Sequence, residues 1–121
     1  MADILYTKEH MWVCCDGGTA KVGLSKYART QLKNIVFISL PDIGESFAAG
    51  DTLGDVESVK TVEDLISPID GEVIAVNEEL LDHPASIGDT VATGWLLEFS
   101  LSDEVGNLMN ADDYQKYVDT L

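Results

Sequence analysis

Lys60 is the side chain whose setting most invites chemistry. It is the only lysine or arginine between Asn34 and Asp113, and Asp55, Glu57, Glu63 and Asp64 stand around it. Val56, Val59 and Val62 lie close by in GDVESVKTVEDL, residues 54–65, and Pro68 and Gly71 follow. The pattern reads as two strands joined by a tight turn that presents the amine. Most surface lysines are solvated charges with no task. An isolated amine in an acidic field is different, because another protein can find it and modify it. A lysine amine ends a flexible four-carbon stem, which suits a covalent arm. It can form an amide with a carboxylic group carrier such as lipoate or biotin.

No other grouping reads as a reactive centre. The serines lack a G-x-S-x-G setting, and there is no glycine-rich phosphate loop. Only His10 and His83 are available for proton transfer near neutral pH. Cys14 and Cys15 are adjacent on a strand-like run, so they point to opposite faces and pair poorly. Small apolar fillers are the expected role for at least one of them. Their spacing from either histidine does not suggest a metal site, and none is expected. The chain is therefore read as a non-enzyme that displays Lys60.

Composition agrees. The chain has 121 residues, 45% hydrophobic and 24% charged, which suits one folded domain rather than a disordered segment. The formal net charge is −15, which disfavours nucleic acid and anionic membranes and points to partners with basic faces. The charge is uneven: residues 1–33 carry five basic and three acidic side chains, and residues 34–121 carry two basic and 19 acidic ones. Copies of such a chain repel each other, so a monomer is expected. The opening MADILYTKEH lacks a basic start followed by an apolar run, and no run of about 18 apolar residues occurs. The cytoplasm is the expected compartment, or the mitochondrial matrix for a chain trimmed of a transit peptide.

The elements that must hold Lys60 in place are short strands with turn signals every few residues, the pattern of a β-sandwich or barrel-like fold. MWVCC and residues 19–24 read as a hairpin about Asp16-Gly17-Gly18. Ser25 caps a short helix with Tyr27, Ala28, Gln31 and Leu32 on one face. Residues 35–40 form a strand ended by Pro41, and residues 52–56 and 62–66 flank the lysine turn. Residues 72–77 alternate, and residues 78–81 make a helical turn before Pro84. A short strand is expected between Gly88-Asp89 and Thr93-Gly94, and a last one from Trp95 to Leu101. A helix is expected from Ser102-Asp103-Glu104. Another is capped by Asn110 or Asp112, with Tyr114, Tyr117, Val118 and Leu121 on one side. Gly50-Asp51-Thr52-Leu53 recurs as Gly88-Asp89-Thr90-Val91, each copy read as introducing a strand. Both tryptophans are expected in the core.

Six phrases in order resemble the H proteins of the glycine cleavage system, members of the lipoyl-domain superfamily. They are YTKEHMWV at 6–13, VGLSKYARTQLKNIVFISLP at 22–41, ESVKT at 57–61, SPIDGEVIAVNEEL at 67–80, Gly94-Trp95-Leu96, and ADDYQKY at 111–117. The resemblance implies a mostly β fold, a flattened β-barrel/sandwich hybrid of two sheets with short flanking helices. It implies a single lipoyl-carrier domain over 1–121, with an N-terminal hairpin and helix over about 1–33. The lipoyl hairpin would span about 52–66 and the C-terminal helical segment about 102–121. It implies lipoate in amide linkage to Lys60 and recognition of Glu57 by the lipoate-attaching enzyme. It also implies that the arm shuttles an aminomethyl group. The donor would be glycine decarboxylase (the P protein), the acceptor aminomethyltransferase (the T protein), and reoxidation would fall to dihydrolipoamide dehydrogenase (the L protein).

The resemblance has gaps. The family motif usually reads HEWV, whereas Met11 stands here in place of the glutamate. The segment 85–93 is shorter than the family's loop and lacks its Pro-Tyr element; in the family that loop helps shelter the loaded arm. These departures carry a second reading, an H-like lipoate relay or redox-signalling carrier outside glycine cleavage. A biotin carrier would resemble Met-Lys-Met at the turn, and Val59-Lys60-Thr61 does not.

Overall fold

The computed structural model describes residues 4–88, 90–102 and 108–121. Alternating apolar positions make nine strands among these residues: β1 (Ile4–Tyr6), β2 (Met11–Asp16), β3 (Thr19–Leu24), β4 (Ile35–Ser39), β5 (Ser46–Phe47), β6 (Thr52–Ser58), β7 (Val62–Ile66), β8 (Gly71–Val76) and β9 (Trp95–Leu101). Three short α-helices lie between them, α1 (Lys26–Leu32), α2 (Glu78–Asp82) and α3 (Val91–Gly94), and α4 (Ala111–Val118) follows the last strand.

All strand pairs are antiparallel and fall into two sheets. One has six strands in the order β1-β2-β3-β9-β8-β5, and the other has three in the order β4-β6-β7. The inner faces of both meet in one core. Val13, Val22, Val73, Leu97 and Phe99 enter it from the larger sheet, and Ile38, Val56 and Leu65 from the smaller. Among the described residues the pairing forms a two-sheet sandwich and does not close into a barrel. No helix of the described residues is long and apolar enough to cross a membrane.

Local chemistry sets the element ends. Gly17 adopts φ 64°, which a residue without Cβ takes without strain, and turns β2 into β3. Ser25 Oγ accepts the Ala28 N–H at 3.2 Å and starts α1, and Asn110 Oδ1 accepts the Asp113 N–H at 2.8 Å and starts α4. Of the two caps expected for α4, Asn110 is the one used.

The strand expected before Trp95 is instead the helical turn α3. Thr90 and Thr93 bond each other's backbone N–H reciprocally, at 3.1 and 3.2 Å, a capping box that outweighs the strand preference of threonine. The repeated Gly-Asp-Thr phrase therefore does not introduce two like elements. Thr52 opens β6, while Thr90 caps a helix; Asp89 lies outside the described residues. The helix expected from Ser102-Asp103-Glu104 falls on residues 103–107, also outside them. Met11, the residue that departs from the family motif, is buried in the core. Trp12 is buried too, whereas Trp95 is only partly covered, with Lys21 Nζ 5.0 Å above its ring.

Candidate functional site

Strand β6 runs two residues further than the alternation suggests, because Glu57 still pairs with Val62 of β7. Only Val59, Lys60 and Thr61 remain for the turn. Ser58 closes it. Its side chain is 4% exposed, and its Oγ accepts the Lys60 N–H at 3.3 Å and the Thr61 N–H at 3.2 Å while donating to the Thr61 carbonyl at 3.2 Å. The Ser58 N–H adds a 2.8 Å bond to the same carbonyl, and the Val59 N–H reaches the Asn34 carbonyl at 3.2 Å. The turn is thus bonded within itself and to the residue before β4. Lys60 projects from it and is exposed.

The acidic residues predicted around Lys60 separate into two groups. Asp55 and Glu57 lie on one face of β6 and pair with Asp64 and Val62. Thr61, Glu63 and Asp64 also line a cavity of about 290 Å³, whose other walls include Glu9 and His10 before β2 and Tyr27, Ala28 and Leu32 on α1. The apolar face of α1 predicted from its spacing is therefore the face that walls this cavity. Beside Lys60 there is a hollow lined by the acidic residues Glu9 and Glu63 and by the apolar side chains of Leu24, Ala28 and Leu32. The described residues of 85–93 do not line it.

His10, which the sequence offered only as one of two histidines for proton transfer, proves to be a wall of this cavity. Its backbone takes φ 68°, rare outside glycine, asparagine, aspartate and histidine. Its Nδ1 lies 2.7 Å from the Tyr114 hydroxyl, which is in turn 2.7 Å from Ser25 Oγ. Tyr6 stacks on Tyr114 with ring centres 4.6 Å apart, and Tyr27 and Tyr117 flank the imidazole. Burial pulls the His10 pKa below its usual value, against the Glu9 and Glu63 carboxylates, which pull it up. Burial likewise raises the Tyr114 hydroxyl, with the Ser25 hydrogen bond acting the other way. His83, the other histidine, caps the C-terminal end of α2 outside this cavity. Cys14 and Cys15 are both half-buried on β2. Cys15 packs against the core, and burial pushes its thiol pKa up, which leaves it less of the reactive thiolate.

Comparison with known proteins addresses what such a lysine turn belongs to. The family model described as glycine cleavage H-protein matches residues 4–121. The chain belongs to the glycine cleavage H-protein family. A glycine cleavage system H protein of Listeria monocytogenes serotype 4b is 45% identical over 120 residues, covering 97% of this chain and 96% of the relative. One from Herpetosiphon aurantiacus is 41% identical over 117 residues, covering 96% and 91%. Among solved structures, the crystal structure of the glycine cleavage system H protein from Mycobacterium marinum superposes with a TM-score of 0.89 at 36% identity, covering 98% of both chains. The family fold expected from the six phrases is thus the fold observed. These relatives carry the glycine cleavage name; they lend no support to a relay or signalling role outside it.

Proposed function

We propose that this chain is the lipoyl carrier of a glycine cleavage system. In this reading residues 1–121 act as one carrier domain with lipoate in amide linkage to Lys60. The observation that carries it is the position of Lys60, exposed on a turn bonded from within by Ser58, in a chain matched to the H-protein family over residues 4–121. Lipoate supplies a strained disulfide that opens to accept a group and closes again by thiol–disulfide exchange.

The residues around Lys60 suit that cargo. The stem can swing over the adjacent cavity, which Thr61 next to Lys60 helps to line. Glu9 and Glu63 beside it favour a cationic aminomethyl group by charge. The apolar side chains of Leu24, Ala28 and Leu32 give the aliphatic part of the arm a surface to lie on. Glu57, exposed on the strand leading into the turn, serves as the recognition residue for the attaching enzyme. The domain itself catalyses nothing. It delivers the arm to glycine decarboxylase, aminomethyltransferase and dihydrolipoamide dehydrogenase in turn, and a docked carrier holds its arm at high effective concentration. We place it in the cytoplasm, in keeping with its bacterial relatives.

The test is the intact mass of the protein from its native host, with the adduct mapped by peptide. A lipoyl adduct on Lys60 is expected, absent from Lys60→Arg, whose guanidinium keeps the charge but is a poor acyl acceptor. Glu57→Gln should be loaded more slowly. An unmodified Lys60 in a host that lipoylates its other carriers would overturn the reading.

A further inference from the structure

The outer face of the three-stranded sheet carries two rows of different chemistry. Strand register aligns Phe37, Glu57 and Val62 across β4, β6 and β7, and aligns Ser39, Asp55 and Asp64 in the next row that faces the same way. Phe37 and Val62 are each 54% exposed, and Val36 and Val59 beside them are 51% and 70% exposed. With strands about 4.8 Å apart, the first row spans about 10 Å and ends beside the turn that holds Lys60. Surface apolar residues scattered singly need no explanation, but two in one row of a sheet face, with Val36 next to Phe37 in the chain and Val59 in the turn that follows β6, mark a contact surface. The second row sets the Asp55 and Asp64 carboxylates directly opposite each other, an arrangement that destabilises an isolated sheet. An apolar depression edged by cations would cover the first row and neutralise the second.

We infer that this face docks the enzyme that forms the amide at Lys60, through an apolar depression flanked by lysine or arginine side chains. The inference rests on the carrier reading and names the partner of the same lysine. In the reaction the Lys60 amine attacks the carbonyl of an activated lipoyl acyl donor. The C–N bond forms, the bond to the leaving group breaks, and the amine proton passes to solvent. Reach selects this enzyme among the partners. Before attachment the amine stands only its own four-carbon stem from the backbone. The attaching enzyme must therefore press its active site against the turn and meet Val59, Val62 and Phe37. Enzymes that work on the far end of the loaded arm need no such approach. A second copy of this chain would bring another −15 charge to the same acidic row.

The test uses the unmodified chain, purified lipoate–protein ligase, lipoate and ATP, with initial loading rates read by intact mass. Phe37→Thr and Val62→Thr keep strand preference while removing the apolar surface. The double variant should lose about tenfold in kcat/KM, chiefly through KM, as expected for apolar contacts at the centre of an interface. Ile43→Thr, which alters an apolar residue 65% exposed outside the strip, should load like the unsubstituted chain. Asp55→Asn should melt at a higher temperature yet load more slowly, a combination that a merely structural role would not produce. A double variant within about twofold of the unsubstituted chain overturns the inference. So does an equal loss when the loaded double variant is reduced by dihydrolipoamide dehydrogenase. If the unsubstituted chain takes up no lipoate, the carrier reading falls and this inference with it. If it is loaded and the double variant loads as fast, only this inference falls.

Discussion

Ser58 gives Lys60 its geometry. The serine is buried under the turn and holds two backbone N–H groups and one carbonyl, so Ser58→Ala strips three partners at once. The cost should be about 1 kcal/mol of stability, the usual net worth of such bonds, read by urea unfolding. The loosened turn should also be loaded more slowly, and unaltered loading would mean that its rigidity is irrelevant to recognition. His10 carries a different expectation. Its folded pKa lies below its usual value of 6.5, so on acidification the unfolded chain takes up the proton first. Its share of stability is complete above about 6.5 and is lost as pH falls, until the folded imidazole titrates as well. The groups facing it are Tyr27, Tyr114, Tyr117, Glu9 and Glu63. His10→Asn tolerates the positive φ and lacks the titration. Thermal unfolding of the two proteins from neutral pH downwards should show a shallower slope for the variant near 6.5.

At the scale of elements, the lysine hairpin depends on its close contact with β4. Gly54 of β6 sits where a Cβ would collide with the Ser39 carbonyl. Gly54→Ala should push β4 off β6 and cost about 1–3 kcal/mol, as overpacking does, seen as a lower denaturant midpoint with an unchanged slope. The same strand contact ties the turn down through the bond from Val59 to the Asn34 carbonyl, so the variant should slow loading as well. At the other end of the molecule, α4 is held by its aromatic side chains rather than by a sheet. The Tyr6–Met109 bridge, at 2.7 and 2.8 Å, brings it to β1, and Tyr114 then reaches both Ser25 and His10. The C-terminal helix thereby props a wall of the cavity beside Lys60.

For the whole molecule, charge governs encounter. The net of −15 leaves a field that attracts basic docking faces over distances beyond contact. Association of the loaded protein with glycine decarboxylase should therefore slow as salt rises, because screening shortens the field to about 10 Å at 0.1 M. Stopped-flow mixing across a salt series measures it, and a flat response would show that the acidic surface has no part in docking. The two-sheet sandwich matters here because it keeps the carboxylates outside a core that is wholly apolar at Val13, Val22, Val56, Val73 and Phe99. Neutralising the surface would remove the field without touching the packing.

What was legible in the sequence was what short-range chemistry controls. Alternation placed most strands, Ser25 and the two glycines at 17 and 18 marked their turn and cap, and the isolation of Lys60 marked the turn proposed above to carry the arm. The six family phrases carried the fold class as well. What the tertiary structure alone decided depends on contacts between residues distant in the chain. The pairing of β3 with β9 and the gathering of Glu9, His10, α1 and β7 around one cavity have no local signal, because strand partners are chosen by packing across the whole core. The same holds for the rows Phe37–Glu57–Val62 and Ser39–Asp55–Asp64, which exist only once three strands are in register. Residues 91–94 show the reverse limit. Val91 and the threonines there favour a strand by propensity, yet two reciprocal side-chain bonds between Thr90 and Thr93 tip the segment into a helical turn, since hydrogen bonds of that kind outweigh differences in intrinsic preference.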